Sequence, residues 1–177
     1  MFNPLDELNQ RVISCQKCPR LREYCRYVAQ TKRRAYRDQE YWGKPVPGFG
    51  DTAARLVIIG LAPGAHGSNR TGRMFRGDAS GDFLFAALFR AGFANQPSSI
   101  HRQDGLMLKD LYITSVCRCV PPNNKPLTDE MKNCRHFLLS EIEMLSNIKG
   151  FVALGRVAFE NLLDIYLPRG ETRKNYK

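Results

Sequence analysis

The chain has 177 residues, a length that suits one domain, and 43% of them are hydrophobic, which is enough for a sizeable core. Mean hydropathy is −0.39, and no apolar run approaches the roughly 20 residues of a membrane-spanning helix, so none is predicted. The first residues include early acidic side chains and no long apolar block, unlike a signal peptide, so we expect a cytoplasmic protein.

The chain is strongly basic, with a formal net charge of +10 and a pI of about 9.6. Its positive residues recur throughout and are dense in the run Lys32, Arg33, Arg34 and Arg37. A protein this basic commonly binds a polyanion such as nucleic acid, although a merely solvated basic surface has the same composition. Charge alone therefore supports the two interpretations about equally, and it does not indicate sequence-specific binding.

The first 40 residues are predicted to be helical. Leu5, Leu8 and Val12 lie at helical spacing, and a second, basic helix is predicted from Leu21 to Tyr36. The segment 43–50 is rich in Gly and Pro and is predicted to be a loop.

Three short apolar strands alternate with three helices along the rest of the chain. In chain order these are strand 56–60, a helix from Ser80 or Gly81 to Ala91, strand 111–116, a helix from an N-cap at Thr128 to about Leu145, strand 151–154 and helix 157–166. This alternation predicts a parallel sheet with helices on both faces, in which ligands bind beyond the carboxyl ends of the strands. Three strands are few for this architecture, so we expect at least one more.

Six cysteines are present, and in a reducing compartment they are not expected to form disulfides. Cys15 and Cys18 form a C-x-x-C pair that can bind one edge of a metal site. Cys134 and either Cys117 or Cys119 are the candidates for the other two ligands. Zinc and iron–sulfur clusters both accept four thiolates, and spacing alone favours neither. The remaining cysteines, Cys25 among them, are expected to be unligated core residues.

The long loop after the first strand contains the chemically suggestive residues. It lacks the Gly-Lys-Ser/Thr of a Walker A loop and the G-x-G-x-x-G fingerprint, but its glycines allow the backbone to approach a flat or anionic ligand. Phe75 lies in polar surroundings and is either a stacking face for a base or a core residue. Asp78 is a candidate for chemistry, whereas Asp82 is placed to stabilise a helix N-terminus.

The segments GLAPGAHGSNRTGRMFRGDASG and LYITSVCRCVPPNNKP, followed by Cys134, resemble the family 5 uracil-DNA glycosylases, the broad-specificity type B iron–sulfur enzymes. The resemblance runs from Cys15 to about Leu163. It implies a three-layer αβα sandwich around a parallel four-stranded sheet, formed as a single domain over 1–177. It also implies an N-terminal helical arm tied down by a metal cluster.

The resemblance also implies roles for individual residues. Cys15, Cys18, Cys119 and Cys134 match the ligands of a [4Fe–4S] cluster, which makes Cys25 and Cys117 bystanders. The substrate-binding residues it implies are Gly60, Leu61, Ala62, Pro63, Gly64 and His66 in the first loop, Phe75 as the uracil-stacking aromatic, and Ser115 at a position where family 4 enzymes carry a uracil-reading Asn. The catalytic residues it implies are Asp78 and Asn124.

The activity implied is that of a DNA-repair hydrolase that excises uracil, and other deaminated bases such as hypoxanthine, from DNA. We expect DNA as the partner, no membrane association and a monomer. The family carries a His-Pro-Ser-type loop after the last strand that has no counterpart before Lys177. We therefore expect the chain to be incomplete at its C-terminus, with its last strand missing. A non-catalytic iron–sulfur protein that binds nucleic acid is the alternative, and a zinc-stabilised binding module is a weaker one.

Overall fold

A four-stranded sheet lies at the centre of the computed structural model, which describes residues 3–77 and 79–167. The strands are β1 (Phe49–Gly50), β2 (Leu56–Gly60), β3 (Leu111–Ser115) and β4 (Gly150–Ala153), in the spatial order β1-β3-β2-β4. β2 pairs in parallel with both β3 and β4, whereas β1 is antiparallel to β3. The predicted α/β class and the three parallel strands are confirmed.

Helices cover both faces of the sheet. In chain order they are α1 (Pro4–Ser14), α2 (Pro19–Thr31), α3 (Ser68–Thr71), α4 (Ala79–Arg90), α5 (Thr128–Met144) and α6 (Arg156–Tyr166). Alternate strand residues face opposite sides, as the pleat requires. Val57 and Ile59 pack with α1, α5 and α6, whereas Ile58 packs with α4 on the other face. The predicted three-layer sandwich follows from these two cores.

The fourth strand differs from its prediction. Residues 43–50 were predicted to form a loop, but Phe49 and Gly50 pair with β3, so the fourth strand comes from this segment and is antiparallel. Two residues are too short to show the alternation that marks a strand. At Gly50 (φ +146°) a Cβ would lie 2.4 Å from the Leu111 carbonyl oxygen, so only glycine permits this approach of the two backbones. The predicted strand beyond the chain is untested by the described residues.

The N-cap predicted for α5 is also wrong by one residue. Thr128 is already helical, and Leu127 occupies the cap position in an extended conformation. The Glu130 carboxylate accepts a hydrogen bond from the Leu127 backbone N–H at 2.7 Å. The start of α5 is therefore stabilised by a carboxylate of its first turn, which accepts the N–H of the cap residue, and not by the predicted threonine cap.

The N-terminal arm, α1 and α2, packs directly on the domain. Leu8 and Val12 of α1 are buried in the core beside α5, and Leu21 and Cys25 of α2 are buried against the segment after β3. Arg20 contacts Glu130 with two hydrogen bonds of 2.8 and 2.7 Å, although the two residues are 110 apart in sequence. None of the described helices has the length and apolar character needed to cross a membrane.

Candidate active site and cysteine cavity

One cavity of about 270 Å³ lies at the carboxyl ends of the parallel strands. Gly60 ends β2, Ser115 ends β3, and Leu154 comes directly after β4. The lining residues are Gly60, Leu61, Ala62, Gly64, Ser68, Met74, Phe75, Ser80, Ser115, Asn124 and Leu154. This is the edge at which parallel α/β sheets bind ligands.

The loop after β2 is held by backbone hydrogen bonds. The Gly60 and Leu61 carbonyls each accept an N–H from the segment after β3, at 2.9 Å, and the Gly64 carbonyl accepts the Asn69 N–H at 3.0 Å. The loop therefore has a defined shape before any ligand arrives. A wall of preorganised backbone dipoles is the usual means of stabilising charge that develops during a reaction.

Phe75 is presented to the cavity by a strained backbone. Its φ is +53°, a left-handed conformation that is a genuine outlier for a bulky residue. Such strain costs about 1–3 kcal/mol and concentrates at functional sites. A Cβ added at Gly60 would lie 2.4 Å from the Phe75 ring, so the ring sits directly against the end of β2. The ring also packs against the core below α4, so it lines the cavity and contacts the core at once.

Ser115 and Asn124 reach the same cavity from the segment after β3. The buried Ser115 hydroxyl donates its hydrogen to the Cys117 carbonyl at 2.6 Å. Because that hydrogen is used, the Ser115 oxygen can only accept a hydrogen bond from a ligand. Asn124 is exposed and lies, with Asn123, in the left-handed region (φ +56° and +54°). Asparagine tolerates that conformation better than most residues, which accounts for two in succession.

Two other predicted site residues, Pro63 and His66, are not among those that line the cavity, and Asp78 lies outside the described residues. Pro63 is buried. The His66 Nδ1 shares a hydrogen bond of 3.1 Å with the Tyr41 hydroxyl. Partial burial, helped by Arg33 and Arg70, lowers the pKa of His66, which favours a neutral imidazole at pH 7.

Four lining residues were not predicted from the sequence. Met74 and Ser80 belong to the segment after β2 that the sequence analysis identified as a candidate site, and Ser68 begins the short helix α3 within it. Leu154 carried a usable signal, because the first residue after a parallel strand lies at the ligand-binding edge. The loops after the first two strands were predicted on this ground, whereas the residue after the third was not.

A second cavity brings together the four cysteines predicted to be metal ligands. Its lining residues are Cys15, Lys17, Cys18, Leu21, Arg22, Pro45, Arg118, Cys119, Glu130, Asn133, Cys134 and Phe137. Cys15 is the C-cap of α1, Cys18 is the N-cap of α2, Cys119 follows β3, and Cys134 lies in α5. Cys25 and Cys117 are fully buried in the two adjoining cores and are not among the lining residues.

The thiols of this region interact with each other and with nearby N–H groups. A hydrogen bond from Cys119, with another from the Val120 N–H at 3.3 Å, lowers the pKa of Cys25 to about 7 against the effect of burial. The bond to Cys25 and burial raise the pKa of Cys119. Burial raises the pKa of Cys134 to about 11, although Arg118 opposes this shift. Cys18 accepts a weak hydrogen bond from the Asn133 amide at 3.8 Å.

The four thiols share one small cavity of about 20 Å³. Within residues 3–77 and 79–167, no group of three or more His, Cys, Asp or Glu side chains is close enough to hold one metal ion. Four cysteine sulfurs around one cavity are the donor set that zinc sites and iron–sulfur clusters share. Two arginines in the lining, Arg22 and Arg118, also carry buried N–H groups that have no acceptor in the described part of the chain.

Comparisons with known proteins give a consistent result. The family model described as the Uracil DNA glycosylase superfamily matches residues 47–176. A Type-5 uracil-DNA glycosylase of Mycobacterium leprae is 49% identical over 160 residues, which cover 90% of this chain and 70% of that protein. One of Mycobacterium bovis is 50% identical over 155 residues, 87% of this chain and 58% of the relative.

A more distant relative, a Type-4 uracil-DNA glycosylase of Thermotoga maritima, is 36% identical over 120 residues, which cover 67% of this chain and 54% of that protein. The chain thus matches between 58% and 70% of the length of the two Type-5 relatives. It is more similar in sequence to them than to the Type-4 protein.

Proposed function

Because the chain belongs to the uracil-DNA glycosylase superfamily and is similar to Type-5 members over most of its length, we propose that it removes uracil from DNA by hydrolysing the bond between base and sugar. One observation carries the proposal. The cavity at the sheet edge gathers the loop after β2, Phe75, Ser115 and Asn124 into a single site. Other deaminated bases such as hypoxanthine are included in the proposed substrate range.

The base must leave the duplex to reach this cavity, which costs a few kcal/mol and least at a mispair such as U·G. The flipped base then stacks on the Phe75 ring, whose position against Gly60 leaves it little freedom to move. Ser115 contributes only an acceptor, since its proton is already donated to Cys117. Residue 115 therefore has no hydrogen-bond donor with which to read the edge of a base. A site without such a donor discriminates weakly between bases, which supports a broad substrate range.

Cleavage of the bond gives the sugar C1′ oxocarbenium character and sends the base away as an anion. We assign Asp78 to stabilise the developing cation and to orient the attacking water, and Asn124 to the same reaction. Both roles rest on the family resemblance, and Asn124 also on its place in the cavity lining. Backbone N–H groups of the loop from Gly60 to Gly64 are proposed to stabilise the leaving anion.

A [4Fe–4S] cluster bound by Cys15, Cys18, Cys119 and Cys134 is part of the proposal. The four side chains line one cavity, and the donor set of four sulfurs is the one such clusters use. When bound, the cluster would cross-link the N-terminal arm to α5 and the segment after β3. That segment leads directly to Asn124, so the cluster would stabilise one wall of the active site without taking part in bond cleavage.

Contact with DNA is proposed to depend on the basic residues of the surface. The net charge is +10, and Arg33, Arg34 and Arg37 are exposed. Each phosphate that a Lys or Arg neutralises releases counterions, so binding should weaken steeply as salt increases. The expected monomer and cytoplasmic location stay predictions.

The test is a single-turnover assay on a labelled U·G duplex, followed by alkali to cut the abasic strand. The wild-type chain should yield the cleaved strand, a duplex without uracil should not, and Asp78→Asn should lose most of the activity. Failure of the wild-type chain to yield product would overturn the proposed activity. Full activity in Asp78→Asn would overturn the role of that carboxylate alone.

A further inference from the structure

Two buried arginines line the cysteine cavity. The exposed fraction of Arg118 is 1% and that of Arg22 is 5%. They come from separate parts of the chain, since Arg22 lies in α2 and Arg118 lies between Cys117 and Cys119 after β3. Arginine is seldom buried unless its charge is compensated. Two in one small cavity therefore need an explanation.

Their hydrogen bonds are incomplete. Arg118 uses its Nη2 on the Glu141 carboxylate at 2.5 Å, but its Nε and Nη1 have no acceptor within residues 3–77 and 79–167. Arg22 makes long contacts of 3.4 Å from both Nη atoms to the Gly43 carbonyl, and its Nε has no acceptor in the same ranges. Leaving buried N–H donors of a charged group unsatisfied is unfavourable. Acceptors in this cavity are therefore expected.

The Arg118 side chain is held in one orientation from behind. Glu141, 1% exposed, also accepts hydrogen bonds from the Thr114 hydroxyl at 2.6 Å and the Tyr112 hydroxyl at 3.3 Å. Through Glu141, one end of the guanidinium is therefore linked to two side chains of β3. The N–H groups without partners belong to the same rigid plane.

The acceptors that line the cavity include the Glu130 carboxylate and the cysteine sulfurs. The Glu130 carboxylate already accepts hydrogen bonds from Arg20 and from the Leu127 N–H. The Cys18 sulfur accepts the Asn133 amide at 3.8 Å, so sulfur in this cavity does accept N–H groups. Thiolate and sulfide sulfurs of an iron–sulfur cluster accept N–H hydrogen bonds, and such bonds and nearby positive charge govern cluster potential and stability.

We propose that Arg118 and Arg22 donate their free N–H groups to sulfur atoms of the bound cluster and offset its negative charge. The inference rests on the proposed function, because it needs a cluster held by the four cysteines. It assigns to these two residues a role that their charge alone does not reveal. They retain the cluster and raise its reduction potential, and they do not contact DNA.

Two variants test the proposal, and neither leaves the Glu141 carboxylate buried without a positive partner. Arg22→Met removes an arginine that has no ion-pair partner in the described part of the chain. The double variant Arg118→Met/Glu141→Gln removes both charges of the buried pair together, because a lone Glu141 would be strongly destabilising. Arg156→Met is the control, since it makes the same side-chain change at an exposed arginine of α6 that lies outside the cavity lining.

The measurements are iron and zinc content, the rate at which the cluster's visible absorption bleaches in excess chelator, and the cluster's midpoint potential. Circular dichroism checks the fold. Losing a group that supports a metal centre from outside its ligands typically weakens metal retention about 10- to 100-fold. We expect bleaching at least about tenfold faster in both test variants, with a more negative midpoint potential, and control values close to wild type.

Each outcome separates the inference from the function on which it rests. If the wild-type protein holds the cluster and both test variants match it in bleaching rate and potential, the arginine inference is overturned and the cluster stands. If the wild-type protein holds zinc or no metal, the proposed cofactor falls and the inference with it. If the double variant does not fold, Arg22→Met decides the question.

Discussion

Gly60→Ala should disturb base stacking while keeping the backbone N–H that residue 60 contributes to the proposed anion-binding loop. The new Cβ would lie 2.4 Å from the Phe75 ring, nearer than atoms of different residues approach, so the ring must move. Phe75 has little room to adjust, because its backbone is in the left-handed region and its ring rests against the core below α4. Base stacking on an aromatic side chain is worth about 1–3 kcal/mol. Its loss should reduce kcat/KM for uracil excision by roughly 5- to 150-fold.

The assay is single-turnover excision from a U·G duplex, measured for Gly60→Ala, Phe75→Ala and the double variant. Because the two changes act on the same ring, the double variant should be no slower than Phe75→Ala alone. Gly150→Ala is the control, since a Cβ there meets only a Leu56 methyl carbon at 3.7 Å. Wild-type excision by Gly60→Ala, or an additive loss in the double variant, would refute this reasoning.

Three further outcomes are expected. Asp104→Asn breaks a buried pair with Arg73 (2.6 Å) and should lower the unfolding free energy in urea by about 3–5 kcal/mol. Burial raises the pKa of Asp104, but hydrogen bonds from backbone N–H groups and Arg73 lower it by more, so its net pKa is below the ordinary value. The loss of stability in Asp104→Asn should therefore be full above about pH 4 and should shrink as pH falls through the lowered pKa. Asn124→Gly should slow excision at least about tenfold at an almost unchanged urea midpoint, because the side chain is exposed and glycine adopts the left-handed backbone (φ +56°) without strain. Equal rates would exclude a catalytic role. Cys119→Ser should cut iron content well below that of Cys117→Ser, and the reverse ranking would show that the ligand set is wrong.

Much of the fold could be predicted because its signals are local. Each parallel strand is a short apolar run between turn residues, and α4 ends at Arg90, one residue before the predicted Ala91. The two-residue strand at Phe49 could not be found, because its pairing with β3 depends on a contact distant in sequence. Similarly, the acceptor at the start of α5 is a carboxylate that a propensity argument assigned to another role.

The site shows the same division between local and distant information. Loop composition identified the residues around Phe75, and the family resemblance identified Ser115 and Asn124, which lie together in the structure. Nothing in the sequence distinguishes Arg118 from the exposed arginines, since burial is a property of the packed domain. Counting positive charges therefore overstates the basic surface available to DNA.

The contact between Arg20 and Glu130 has a consequence for the order of folding. Bringing together residues that are 110 apart in sequence costs about 4 kcal/mol in loop-closure entropy. A further constant cost, set by chain stiffness, adds to this. A partly exposed ion pair contributes about 0–1 kcal/mol, so it does not drive that closure. The buried faces of α1 and α2 must do so, and they have no surface to pack on until the sheet and α5 have formed. The N-terminal arm should accordingly dock last in folding and detach first in unfolding, which makes it the segment most open to proteolysis when the cysteine cavity is disturbed.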